Sequence, residues 1–179
     1  MARGRGTAAA AGARPARPGD SSHVAVVRPH HTWPVGSTWG VTPKESIEAE
    51  CSRRGRREVV AGCVSILRGT VEDDALVRAL GGPGADQVLG GRGGGRDGYW
   101  PRVWAARGLL HAWEDSAAAA IIAATTDDSW RVREMAARVV ARHLVGDALA
   151  AVARLQGDEI PRVRSAADRA VYRLVQAGA

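Results

Sequence analysis

Asp127-Asp128-Ser129-Trp130-Arg131-Val132-Arg133-Glu134-Met135-Ala136-Ala137 is followed by Asp158-Glu159-Ile160-Pro161-Arg162-Val163-Arg164-Ser165-Ala166-Ala167, and the second stretch repeats the first. Each has acidic residues, then an x-Arg-Val-Arg start, then a pair of alanines. A third copy, Pro101-Arg102-Val103-Trp104-Ala105-Ala106, precedes them, which places the three starts at 101, 130 and 161, at spacings of 29 and 31 residues. Self-similarity at such a period marks a repeated supersecondary unit. Between the starts the apolar residues keep helical spacing, and Asp115-Ser116, Asp128-Ser129 and Gly146-Asp147 supply stop and start signals. Helices are therefore predicted over 99–113, 116–125, 129–143, 147–156 and 160–176, and no strand is expected. Short connections make successive helices antiparallel neighbours. A helical pair that is apolar on both sides is unstable alone, so the pairs must stack.

Upstream the pattern is weaker. Thr42-Pro43-Lys44-Glu45 has the chemistry of a capping box with Pro at the first helical position, so order should begin there. Ile47 and Cys51 follow at helical spacing, then a second helix presents Val59, Val60, Cys63, Val64 and Leu67. Gly69 stops it, Thr70 with Asp73 can cap the next, and Leu76, Val77 and Leu80 form a short third helix. Residues 81–98 hold nine glycines, read as a flexible loop that breaks the helical pattern. Residues 1–42 are rich in Arg, Gly and Pro without apolar periodicity and are read as a disordered tail. Trp33 and Trp39 in it are a candidate docking motif. The domain thus spans 43–179, with its clearest repeats at 99–126, 127–157 and 158–177.

The acid, then x-Arg-Val-Arg-x-x-Ala-Ala pattern resembles the HEAT-repeat superfamily, in particular the short bacterial HEAT-like repeats first noticed in phycobilisome lyases. The resemblance is good over 127–174, fair over 99–125 and weak over 45–98. It implies an all-α fold, a right-handed α-solenoid of about four antiparallel helical hairpins, of the armadillo-like kind. It also implies ladders in which the acid before a helix bonds the Arg of the Val-Arg pair in a neighbouring unit. Asp127 or Asp128, Arg133, Asp158 and Arg164 would form them here, and Trp104, standing at the Arg position of the first unit, would break the ladder. Bilin-lyase activity is not carried over, because no chromophore-handling residue is identifiable.

Charge and composition limit the functions further. The chain has 179 residues and a formal net charge of +6. Residues 1–44 hold six basic residues against Asp20, whereas 45–179 hold 19 arginines against 18 carboxylates. Basicity thus belongs mostly to the tail, and protein ranks ahead of nucleic acid as the partner. Lys44 is the only lysine, which removes a phosphate-binding loop of the Walker type. Cys51 and Cys63 lack metal or redox spacing and read as free thiols, and His30, His31, His111 and His143 show no ligand spacing. No metal or cofactor is expected. No apolar run approaches the ~18 residues of a membrane span, and no secretory leader is evident, so a cytoplasmic protein is expected.

One helix offers a candidate site. On 99–113, Val103, Ala106, Leu110 and Trp113 form one stripe, and Trp100, Trp104, Arg107 and His111 form a second. The second stripe is either packing between repeats or a partner-binding surface, since Trp and Arg dominate binding hot spots. The function expected is a noncatalytic interaction scaffold for an unidentified protein partner. The alternative is DNA binding, or an alkylpurine DNA glycosylase-like activity of the sort some HEAT-like proteins carry. Trp100, Trp104, Trp113, Trp130, Arg107 and Asp115 offer the residue types for it.

Overall fold

The computed structural model describes residues 40–70 and 73–178. Most of the tail, including Trp33, Trp39, His30 and His31, lies outside the described residues. Among these, the chain forms nine α-helices and no strand: α1 Pro43–Arg54, α2 Arg56–Arg68, α3 Asp74–Gly81, α4 Ala85–Leu89, α5 Tyr99–Leu109, α6 Ala118–Ala124, α7 Trp130–His143, α8 Leu149–Leu155 and α9 Pro161–Gln176.

The capping box forms as the sequence predicts. The Glu45 amide donates to Thr42 Oγ1 at 3.2 Å, and the Thr42 amide donates to the Glu45 carboxylate at 2.6 Å. At α3 the cap is Asp73 alone, accepting from the Leu76 amide at 2.8 Å, while the Thr70 hydroxyl donates back to the Ser65 carbonyl. A fork from Arg54 holds the same aspartate and ties the end of α1 to the start of α3.

Three expectations need correction. Residues 81–98 are not a helix-free loop. They contain a 3-10 turn at Gly82–Gly84, then α4, then a second 3-10 segment at Arg92–Asp97 whose Gly93, Gly94 and Gly95 have positive φ. Ala85 and Val88 of α4 are buried, so two apolar residues one turn apart anchor a five-residue helix between glycines. The helix predicted to reach 113 ends at Leu109, because the amides of Leu110 and His111 bond three residues back and tighten the last turn. Likewise the starts of the predicted 116–125 and 147–156 helices are 3-10 turns at Asp115–Ala117 and Gly146–Ala148.

The long helices pack side by side. α2 and α3 flank α5, α5 lies against α7, and α7 against α9, while the short α6 and α8 pack on the longer helices that follow them. Alanines make this possible: Ala105, Ala106, Ala136, Ala137, Ala167 and Ala170 are all fully buried, so the backbones approach closely. Val132, Val139, Val140, Val163 and Leu174 fill the core around them. Gly108 serves the same end on α5, since a methyl there would lie 2.7 Å from Leu80 Cδ2 and 3.0 Å from Cys63 Sγ.

Candidate functional site

Three helices carry an arginine at their fourth position: Arg102 on α5, Arg133 on α7 and Arg164 on α9. Arg133 donates from Nε and Nη2 to the two carboxylate oxygens of Asp158 at 2.7 and 3.1 Å, and from Nη1 to the carbonyls of Asp127 and Asp128 at 2.9 and 3.1 Å. Arg102 makes the same bonds to the Asp127 carboxylate, at 2.7 and 3.2 Å, and to the carbonyls of Asp97 and Gly98. Arg164 bonds the carbonyls of Asp158 and Glu159 at 2.7 and 3.0 Å. Each aspartate also turns the chain into its helix, Asp127 accepting from the Ser129 amide and Asp158 from the Ile160 amide. Asp128 contributes its carbonyl alone.

The ladder is therefore unbroken at the first unit, contrary to the expectation at Trp104. The helix starts explain why. α5 begins at Tyr99, α7 at Trp130 and α9 at Pro161, so both intervals are 31 residues and the spacing of 29 read from Pro101 is two short. Pro101 matches the buried Val132 and Val163, and Arg102 takes the ladder position.

This period changes the meaning of the candidate stripe. Trp100, Trp104, Arg107 and His111 correspond at 31-residue steps to Arg131, Met135, Arg138 and Arg142 on α7, and to Arg162, Ala166, Arg169 and Arg173 on α9. On α5 the stripe turns inward. Trp104 is 5% exposed and its ring covers Gly81, where a methyl would lie 2.6 Å from it. Arg107 donates to the Leu80 carbonyl at 2.5 Å, and burial lowers its pKa. Trp100 is half-buried, with its ring 6.0 Å from that of Trp104. His111 is partly exposed, its pKa lowered by burial and then by the Arg142 charge.

On α7 and α9, Arg138, Arg142, Arg162, Ala166, Arg169 and Arg173 of the same stripe line a groove of about 770 Å³. Its lining residues carry six cations, Lys44, Arg138, Arg142, Arg162, Arg169 and Arg173, against one carboxylate, Glu134, which Arg162 engages at 3.2 Å. Lys44 pairs with Glu48 at 3.7 Å. Arg138, Arg142, Arg169 and Arg173 are exposed and have neither an ion pair nor a side-chain hydrogen bond among the described residues. Leu110, Ala141, Pro161 and Ala166 add apolar surface to the lining. His111 is the one member of the predicted stripe that reaches it. The four arginines were missed in the sequence, and the 31-residue period is the signal that finds them.

Beside the groove, the Arg131 guanidinium lies 4.3 Å from the Trp130 ring centre and 5.4 and 5.6 Å from those of Tyr99 and Trp100. Arg162 approaches Trp130 at 5.6 Å. The residue types weighed for a glycosylase do not meet there: Trp100, Trp104, Trp113, Trp130, Arg107 and Asp115 are absent from the lining, and Asp115 accepts from Trp113 Nε1 at 3.2 Å. Both cysteines are free thiols, and burial pushes that of Cys63 up to about 12. Among the described residues no group of three or more His, Cys, Asp or Glu could hold a metal ion, and no helix is long and apolar enough to cross a membrane. Compared with known proteins, the chain matches no family model, no curated protein and no solved structure.

Proposed function

We propose that this chain is a noncatalytic protein-interaction module, a short α-solenoid of HEAT-like hairpins that holds a protein partner against the face shared by α7 and α9. The observation that carries this reading is the 31-residue period, by which corresponding arginines of α7 and α9, Arg138 with Arg169 and Arg142 with Arg173, line one groove. Stacked hairpins form a continuous curved surface with little chemistry of their own, so binding is what the architecture does most readily. Placing a photo-crosslinking residue in the full chain, within its native cells, tests it. Positions Arg138 and Arg169 in the groove should each give a discrete partner adduct, and the exposed Ala150 and Ala153 of α8 should not. Adducts from all four positions alike, or from none, would refute the module.

A second reading, DNA binding or glycosylase-like action, draws on the same unpaired arginines, since phosphate contacts rest on such groups. Base release from alkylated duplex DNA under single-turnover conditions, abolished by reversing Arg138 and Arg169, would establish it in place of the scaffold.

A further inference from the structure

We propose that the groove between α7 and α9 is the receptor for an acidic, amphipathic segment of the partner protein, a short stretch with apolar residues on one side and Asp or Glu flanking them. The proposal rests on the interaction-module reading and names the chemistry of its ligand.

Arg138 and Arg142 stand one turn apart on α7, as do Arg169 and Arg173 on α9, so like charges are neighbours within each helix and all four line one groove. Like charges at this spacing oppose one another, and none of the four is neutralised by a carboxylate of the described residues. A ligand that brings carboxylates relieves this repulsion as it binds, and guanidinium groups take carboxylates in two-pronged, charge-assisted hydrogen bonds. Four residues rise ~6 Å along a helix axis, so each arginine pair leaves the backbone at the same spacing as carboxylates one turn apart on a bound helix.

The lining then selects among anions. Leu110, Pro161 and Ala166 line the groove beside the cations and keep accessible apolar surface, so part of the groove rewards apolar contact. That combination fits the helix-in-groove mode, in which an amphipathic segment lays its apolar side down and its charged flanks meet the rim. A nucleic-acid strand fits less well. Single strands are held by open aromatic faces on which bases stack, and here Arg131 already lies over Tyr99, Trp100 and Trp130, with Arg162 approaching Trp130 as well. The cation excess is also local, since residues 45–179 carry 19 arginines against 18 carboxylates.

The test is fluorescence anisotropy with the full chain and three labelled probes: a twelve-residue helical peptide of Leu flanked by Glu and Asp, the same peptide with Gln and Asn, and a single-stranded DNA dodecamer. The acidic peptide should bind and the amide version should not. The double reversal R138E/R169E should weaken the acidic peptide at least about tenfold, with R154E on the exposed side of α8 leaving it unchanged. R138Q/R169Q, which adds no charge, should weaken it in the same direction and guards against a reversal that disturbs folding. Equal binding of the two peptides, or affinity indifferent to the groove substitutions, would overturn the proposal. So would a dodecamer bound at least tenfold more tightly through the same arginines, which would assign the groove to nucleic acid. A peptide that fails while crosslinking at 138 and 169 still captures one partner overturns the acidic ligand alone. Failure of both removes the module reading too.

Discussion

Replacing Asp158 by Ala removes a carboxylate that does two tasks at once, and the structure sets the size of the loss. Its oxygens accept from Arg133 Nε and Nη2 at 2.7 and 3.1 Å and from the Ile160 amide at 2.9 Å. The Asp158 side chain is 6% exposed and that of Arg133 14%, so the pair is far from the exposed limit, where an ion pair contributes less than about 1 kcal/mol. Stripping one partner from a buried pair costs about 3–5 kcal/mol, and losing a helix-start acceptor costs about 1 kcal/mol. Arg133 keeps its bonds to the carbonyls of Asp127 and Asp128, which relieves part of the penalty. About 3 kcal/mol is therefore expected, a fall in Tm on the order of 10 °C for a domain of this size. Urea unfolding of the Asp158→Ala, Arg133→Ala and double variants, followed by circular dichroism, measures it. The cycle should show a coupling of about 2 kcal/mol. A loss under about 0.5 kcal/mol, or strict additivity of the two changes, would refute the ladder as a source of stability.

Further outcomes follow from the same contacts. The Arg133 hydrogen bonds hold the Asp158 pKa below its ordinary value, so the ladder's contribution is complete above about pH 4 and fades as pH falls through the lowered folded value. Acid unfolding of Asp158→Asn should accordingly lose that pH dependence. Burial lowers the pKa of both His111 and His143, the latter donating from Nε2 to the Leu109 carbonyl at 2.9 Å and stacked on Trp113. Stability should therefore decline as pH drops below about 6.5, and an H111Q/H143Q variant should flatten that slope in denaturant titrations across pH 5–7. Trp104→Ala should cost about 3–5 kcal/mol by chemical denaturation, as for a large core aromatic, and a near-neutral result would move Trp104 out of the packing account. Cys63, buried and with its thiol raised to about 12, should stay unmodified by a thiol reagent at neutral pH until the protein unfolds; labelling of Cys63 in the native state at the rate of an open thiol would contradict its burial.

Much of the helical layout is legible in the sequence because local chemistry and packing agree there. Thr42 and Glu45 are a complete capping pair within four residues, and the Arg133–Asp158 rung is one that the resemblance to HEAT-like repeats implies. The register of the first repeat is a different matter. Pro101-Arg102-Val103 imitates Pro161-Arg162-Val163 in letters, yet Pro161 opens its helix and Pro101 is the third residue of α5. The first turn has no intrahelical acceptors for its amides, so Pro fits any of these places and a Pro-based alignment slides by two. The same slip hid the groove, because Arg138 and Arg169 become counterparts of Arg107 only at the 31-residue period. α4 was lost for another reason: Ala85 and Val88 show one turn of apolar spacing, too short to outweigh the glycines around them, and only tertiary burial decides it.

In the proposed reading, a partner engages the arginines that face the groove. Arginine side-chain NH signals of the full chain, assigned by single substitutions and recorded while the acidic amphipathic peptide is added, test it most directly. Signals of Arg138, Arg142, Arg169 and Arg173 should shift together and saturate, with those of the ladder residues Arg102 and Arg133 unmoved. Shifts spread evenly over exposed arginines such as Arg154, or confined to them, would contradict the account.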